Sequence, residues 1–203
     1  MVDFQSRDTT RGSLTDDEPD ESSTADEQAA DTADARDIQE TDETEVELGV
    51  AIVAIGENGD SESSDSASDA VAGSIERAGW TVVAHETADS TYDAVQGTVD
   101  RTLGRRAVSA VVTVGSAGIG PSDVTVEAIE PLLDTSMPGF GELFRVQYFD
   151  RAGPNVVGMR PTAGVSDETP VFCLPGDADA ARFAVETILA DTLDSLVAQA
   201  TDP

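Results

Sequence analysis

Two stretches of this chain combine small residues with carboxylates in a pattern that suits phosphate chemistry. The first is Gly115-Ser-Ala-Gly-Ile-Gly-Pro-Ser-Asp123. Its three glycines let the main chain approach a ligand closely. Its N–H groups, with the start of a following helix, suit an anion such as phosphate. Neither GxxxxGK nor GxGxxG occurs in it, so it is not a Walker loop or a dinucleotide fingerprint. The second stretch is Leu174-Pro175-Gly176-Asp177, a sharp turn from a strand into a helix. It reads either as an ordinary turn with Asp177 at the helix start or as a further wall of the same pocket. Asp65 and Asp123 are the carboxylates to weigh for chemistry. Each is also a natural helix N-cap, as is Ser122. A carboxylate beside a phosphate loop commonly acts through Mg²⁺, an oxygen-seeking ion that bridges phosphates.

The elements that must position these loops follow from the apolar pattern. Leu48 to Ile55 is continuously apolar and reads as a buried parallel strand, followed by a polar loop over 56–64. Residues 65–78 carry Ala70, Val71, Ile75 and Ala78 at helical spacing and end at Gly79. A second strand is expected over 80–85, then a helix marked by Tyr92, Val95, Val99 and Leu103 and closed by Gly104. Residues 107–115 form the third strand. A third helix is expected after Asp123 through Leu133, and a fourth from Pro138, where the missing N–H costs nothing. The apolar face of that fourth helix is Phe140, Leu143, Phe144 and Tyr148. Residues 153–170 read as irregular or short strands, 170–176 contains another buried strand, and Ala180–Ala198 is a long final helix. Strands alternating with helices imply βαβ units and a mostly parallel sheet covered on both faces. In such sheets ligands sit beyond the carboxyl ends of the strands. That rule selects the loops 56–66, 115–123 and 175–179.

Composition bounds the partners. The formal net charge is −30, with 41 acidic residues against 11 basic ones, all of them arginine. No basic patch is visible, which argues against nucleic acid and anionic membranes. Residues 1–47 hold 17 acids and three arginines, so the remaining residues are acidic as well. An acidity spread this widely fits a protein adapted to a salty cytoplasm. Residues 1–46 have few large apolar groups and are expected to be a disordered acidic tail before a domain over 47–199. The single cysteine, Cys173, and single histidine, His85, exclude a disulfide framework and a Cys/His zinc cluster. No run is apolar enough for a signal peptide or a membrane span. A soluble cytoplasmic protein is expected.

The run Val111–Arg145, VVTVGSAGIGPSDVTVEAIEPLLDTSMPGFGELFR, resembles the MoaB/Mog molybdopterin-binding family. The most specific piece is MPGFGELFR (137–145). Asp123-Val-Thr125, Ala163-Gly164 after Arg160, and Leu174-Pro175-Gly176 agree with it. The resemblance covers about residues 48–198. It implies a three-layer α/β/α sandwich, a homotrimer, and molybdopterin as the ligand. Active members adenylylate the molybdopterin phosphate with Mg-ATP and release pyrophosphate. By that resemblance Asp65 and Asp123 would be catalytic and would hold Mg²⁺. Gly115, Ser116, Gly118, Ser122, Thr125, Pro175 and Gly176 would line the ligand.

The chain also departs from the family pattern. The usual TGGTG is Val114-Gly-Ser-Ala-Gly118, so Ser116 replaces a glycine and Ala117 a threonine. Ser122 stands where many members have arginine, Asp65-Ser-Ala-Ser68 replaces DxSG, and Met159 precedes Arg160 where serine is common. Two readings follow: a molybdopterin adenylyltransferase-like enzyme, or a catalytically degenerate module that binds the pterin or a partner. A purely structural role is a third. Trp80 is expected in the core or at a subunit contact, His85 at the surface at a strand end, and Cys173 as an inert core thiol. Glu142 and Arg145 are left open between a subunit salt bridge and, for Glu142, the pocket.

Overall fold

β1 (Gly49–Gly56) and β3 (Ala110–Val114) are the two strands around which the layers build. Both are apolar at nearly every position because both of their faces are covered. Val50 and Ile52 point into one core and Ala51, Val53 and Ile55 into the other. A strand's side chains alternate, so one continuously apolar run feeds two cores at once. The computed structural model describes residues 48–56 and 61–202, with side chains from 66 onward in the first helix. These residues belong to one compact unit, Thr44–Pro203. The expected tail over 1–46 lies outside the described residues, as does most of the loop after β1.

The sheet has six strands in the order β2-β1-β3-β6-β5-β4. The remaining strands are β2 (Thr81–Asp89), β4 (Thr135–Ser136), β5 (Thr162–Ser166) and β6 (Thr169–Leu174). β2, β1, β3 and β6 run parallel, while β5 pairs antiparallel to β6 and to β4. One face carries α1 (Ser61–Arg77), α4 (Pro138–Ala152) and the C-terminal helices α5 (Ala178–Ala184) and α6 (Ala190–Thr201). The other carries α2 (Tyr92–Leu103) and α3 (Thr125–Ile129). This is the expected three-layer α/β/α sandwich. No described helix is long and apolar enough to cross a membrane.

Several expectations change in detail. β2 runs to Asp89, four residues beyond the expected end, because Glu86–Asp89 pair with Val53–Gly56 of β1. As an edge strand it keeps exposed polar residues, and His85 lies exposed within it rather than at its end. The third helix is short: α3 covers five residues and gives way to a 3₁₀ turn over Glu130–Leu132, where Pro131 cannot donate a helical hydrogen bond. The last helix is interrupted by a π turn, Val185–Leu189. Leu143, placed by periodicity on the apolar face of α4, is 41% exposed; Phe140, Phe144 and Tyr148 are the buried residues. Pro138 opens α4 as expected. Trp80 is buried, with its indole N–H donating to Asp194 Oδ1 at 2.9 Å. Cys173 is buried, and burial pushes its thiol up to about 12, which keeps it protonated and inert.

Candidate functional site

β1 lies between β2 and β3, so the chain leaves β1 toward one face and β3 toward the other. A crevice at such a switch point is where open α/β sheets hold ligands. Three strand ends meet here. The Gly115 N–H donates to the Leu174 carbonyl at 3.1 Å, joining the loops after β3 and β6. Gly115 adopts φ +111°, and a Cβ there would sit 2.2 Å from the Ile55 carbonyl oxygen. A Cβ on Gly176 would lie 3.2 Å from the Gly115 Cα. Both glycines therefore permit close approach of main chains at the carboxyl edge.

Ser116 follows at φ +49°, a left-handed conformation that costs a non-glycine residue free energy. The loop is held in this shape from below. Thr125 is fully buried, its N–H donates to the Ser116 carbonyl (3.0 Å), and its hydroxyl donates to the Gly115 carbonyl (2.8 Å). Thr125 thus faces the interior of the loop rather than the crevice. Pro175 is also buried, whereas Gly176 and Ser122 are exposed and Gly118 is half-buried.

Asp123 does not cap α3. The cap position belongs to Val124, whose side chain can make no capping bond. The Asp123 carboxylate turns back and accepts the Gly120 N–H at 2.6 Å. A Cβ on Gly118 or Gly120 would come within 2.7 or 3.0 Å of the same Oδ2. The glycines are thus the space in which the carboxylate lies. α3 has only five residues, so little helix dipole adds to the N–H groups of the loop. Asp177 behaves as a cap, accepting the Ala180 N–H at 2.9 Å. Asp65 falls within α1 rather than at its cap, and its side chain lies outside the described residues.

Sequence reasoning counted Gly120 among the loop glycines but passed over its bond to Asp123 and the partners of Arg160. The Arg160 N–H donates to the Ala117 carbonyl (2.9 Å). Its guanidinium donates to the Gly118 carbonyl (3.2 Å) and to Glu127 Oε1 (2.5 Å). Partial burial draws the Glu127 carboxyl upward. The Arg160 hydrogen bond, a backbone hydrogen bond and the guanidinium's charge outweigh this and hold it below the usual range. The signal was Arg160 itself, an arginine in an irregular stretch of an acidic chain. The MPGFGELFR stretch seats this segment. Gly141 packs against the Pro161 carbonyl, which a Cβ would approach to 2.4 Å, and the Phe140 ring meets Phe172 edge-on at 5.3 Å. Glu142 is exposed and Arg145 half-buried. Among the described residues, no group of three or more His, Cys, Asp or Glu side chains is arranged to hold a metal ion.

An open, mostly parallel α/β sheet with a glycine loop and a carboxylate at its switch point defines a class of small-ligand-binding domains. The family model described as "probable molybdopterin binding domain" matches residues 51–195. The chain belongs to this family, the MoaB/Mog proteins whose motifs it carries. It is 40% identical over 91 residues to molybdenum cofactor biosynthesis protein B of Staphylococcus epidermidis, covering 44% of this chain and 52% of that protein. It is 39% identical over 88 residues to the protein of the same name from Escherichia coli K12, covering 43% and 52%. These matches span about half the length of those relatives. A crystal structure of a molybdenum cofactor biosynthesis protein B superposes with a TM-score of 0.71 at 28% identity, over 76% of this chain and 96% of that one.

Proposed function

We propose that this chain acts in molybdenum cofactor biosynthesis, binding molybdopterin at the carboxyl edge of β1, β3 and β6 and adenylylating it with ATP. The observation that carries this reading is the Asp123 carboxylate folded onto Gly118 and Gly120 at the switch point. The reaction joins a phosphate oxygen of molybdopterin to the α-phosphorus of ATP. The bond from that phosphorus to the bridging oxygen breaks, and pyrophosphate leaves. Little covalent work falls to the protein, so positioning and charge neutralisation carry the rate.

Gly115, Ser116, Gly118 and Gly176 bring main chain to the phosphate. Thr125 and Pro175 act one layer beneath, holding that main chain in shape. Ser122 stands at the exposed rim. Asp123 orients the nucleophilic phosphate, and Asp65 shares this role by the family resemblance. The Asp123 carboxylate is a hard oxygen donor at the loop, which fits Mg²⁺, an ion bound through one or two carboxylates, water and substrate phosphates. Asp123 and Asp65 would hold it, and with ATP bound it would neutralise phosphate charge.

A second reading, a catalytically degenerate binding module, is favoured by Ser116. A side chain on left-handed backbone stands where the family has glycine. We also propose a homotrimer in a salty cytoplasm. α4 carries a second apolar stripe, with Val146 74% and Phe149 50% exposed opposite its buried face. An exposed apolar stripe of this kind, set among charged residues, marks a surface for another chain. We assign the function to the domain over 47–199, with the acidic segment 1–46 outside it.

The test is incubation of the purified protein in high salt with molybdopterin and Mg-ATP. Adenylylated pterin and pyrophosphate that disappear with Asp123→Asn support the enzyme. Bound pterin without product supports the binding module. Neither binding nor product sinks both readings.

A further inference from the structure

Arg160 meets the glycine loop at two carbonyls and reaches past it to Glu127. Its side chain is 34% exposed and that of Glu127 51%. The guanidinium is therefore a fixed but accessible fork at the rim of the loop, not a buried strut. Its bond to Glu127 is solvent-facing, and such pairs hold weakly. A chain of net charge −30 repels a phosphate dianion unless a cation receives it. A guanidinium matches two phosphate oxygens as well as it matches a carboxylate.

We propose that Arg160 is a phosphate-binding residue of the glycine loop and that Glu127 competes with the phosphate for it. The inference rests on the reading that a phosphate-bearing ligand binds at this loop. A phosphomonoester dianion takes over the N–H that donates to Glu127. The main-chain bond to Ala117 and the bond to the Gly118 carbonyl keep the arginine in place. Glu127 then acts as a selectivity filter, because a ligand must outcompete a carboxylate and a neutral analogue gains nothing from Arg160. The phosphate could belong to the pterin or to the nucleotide.

The experiment is calorimetric titration of the full chain, at one fixed salt concentration, with molybdopterin, AMP and adenosine. Glu127→Gln retains an acceptor for Arg160 but removes the competing charge. It is expected to tighten the phosphate ligand by up to about fivefold and leave adenosine unchanged. Arg160→Gln is expected to weaken the phosphate ligand by roughly ten- to a hundredfold, and Arg160→Lys to recover part of that loss. Whichever of molybdopterin and AMP shows the shift identifies the source of the phosphate. A purely structural brace predicts the opposite sign for Glu127→Gln, so unchanged or weaker phosphate binding in that variant overturns the proposal. Wild-type-like binding by Arg160→Gln overturns it too, while leaving the proposed function standing. A wild-type chain that binds neither molybdopterin nor AMP removes the functional reading itself. Should Arg160→Gln fail to fold by circular dichroism, the sign of the Glu127→Gln effect decides alone.

Discussion

Asp123 and Asp177 occupy matching places at one sheet edge, each after a parallel strand and just before a helix, yet they do different work. Asp177 follows β6 by three residues, has extended backbone, and caps α5 through the Ala180 N–H. Asp123 follows β3 by nine residues, and its carboxylate returns to the Gly120 N–H of its own loop. The extra length lets the chain curl, and Gly118 and Gly120 leave room for the carboxylate. A short turn spends its aspartate on the helix. A longer glycine turn folds its aspartate back onto its own loop.

The sharpest way to break this comparison is at the backbone. Gly115→Ala should destabilise the fold by about 3 kcal/mol or more, since the new Cβ meets the Ile55 carbonyl at 2.2 Å on a backbone at φ +111°. Gly176→Ala, at the shorter turn, should cost no more than about 1 kcal/mol. Denaturant midpoints compare the two, and equal losses would mean that the turns are equivalent. Next comes the aspartate pair. Asp123→Asn should lower the proposed turnover about a hundredfold, near 2.7 kcal/mol of barrier, with little change in Tm. Asp177→Ala should do the reverse, losing about 1 kcal/mol of stability and keeping turnover.

Smaller effects refine the picture. Thr125→Val removes the hydroxyl that serves the Gly115 carbonyl and should cost about 1–3 kcal/mol by chemical denaturation. Ser116→Gly should relieve the left-handed serine and stabilise the chain by about 0.5 kcal/mol, after the entropy glycine loses on folding. Higher turnover in that variant would point to a loop restrained by its serine. The smallest effect concerns acid. The Glu127 carboxyl is held below its unfolded value, so its link to Arg160 contributes fully above about pH 4.5 and fades as pH falls through the folded value. Glu127→Gln should flatten that part of the acid denaturation curve.

Much of this could be read from residue order. Continuous apolar runs marked β1, β3 and β6 as strands buried on both faces, and Pro138 and Asp177 marked helix starts. MPGFGELFR and the glycine loop marked the family. The misreadings share a cause. Glu86–Asp89 looked like loop because their polarity suits an exposed edge strand as well as it suits a turn. Leu143 satisfied a helical period but faces outward, on a second and exposed apolar stripe of α4. Asp123 was assigned to a helix only five residues long.

Periodicity and turn chemistry are local, so the chain alone dictated the buried strands, most of the helices and the loops after β3 and β6 at the carboxyl edge. Hydrogen-bond partnership is not local. It depends on which atoms the packed layers bring within about 3 Å. That is why the return of Asp123 to Gly120, the burial of Thr125 beneath Gly115, and the reach of Arg160 to Gly118 and Glu127 became legible only once β1, β3 and β6 lay side by side.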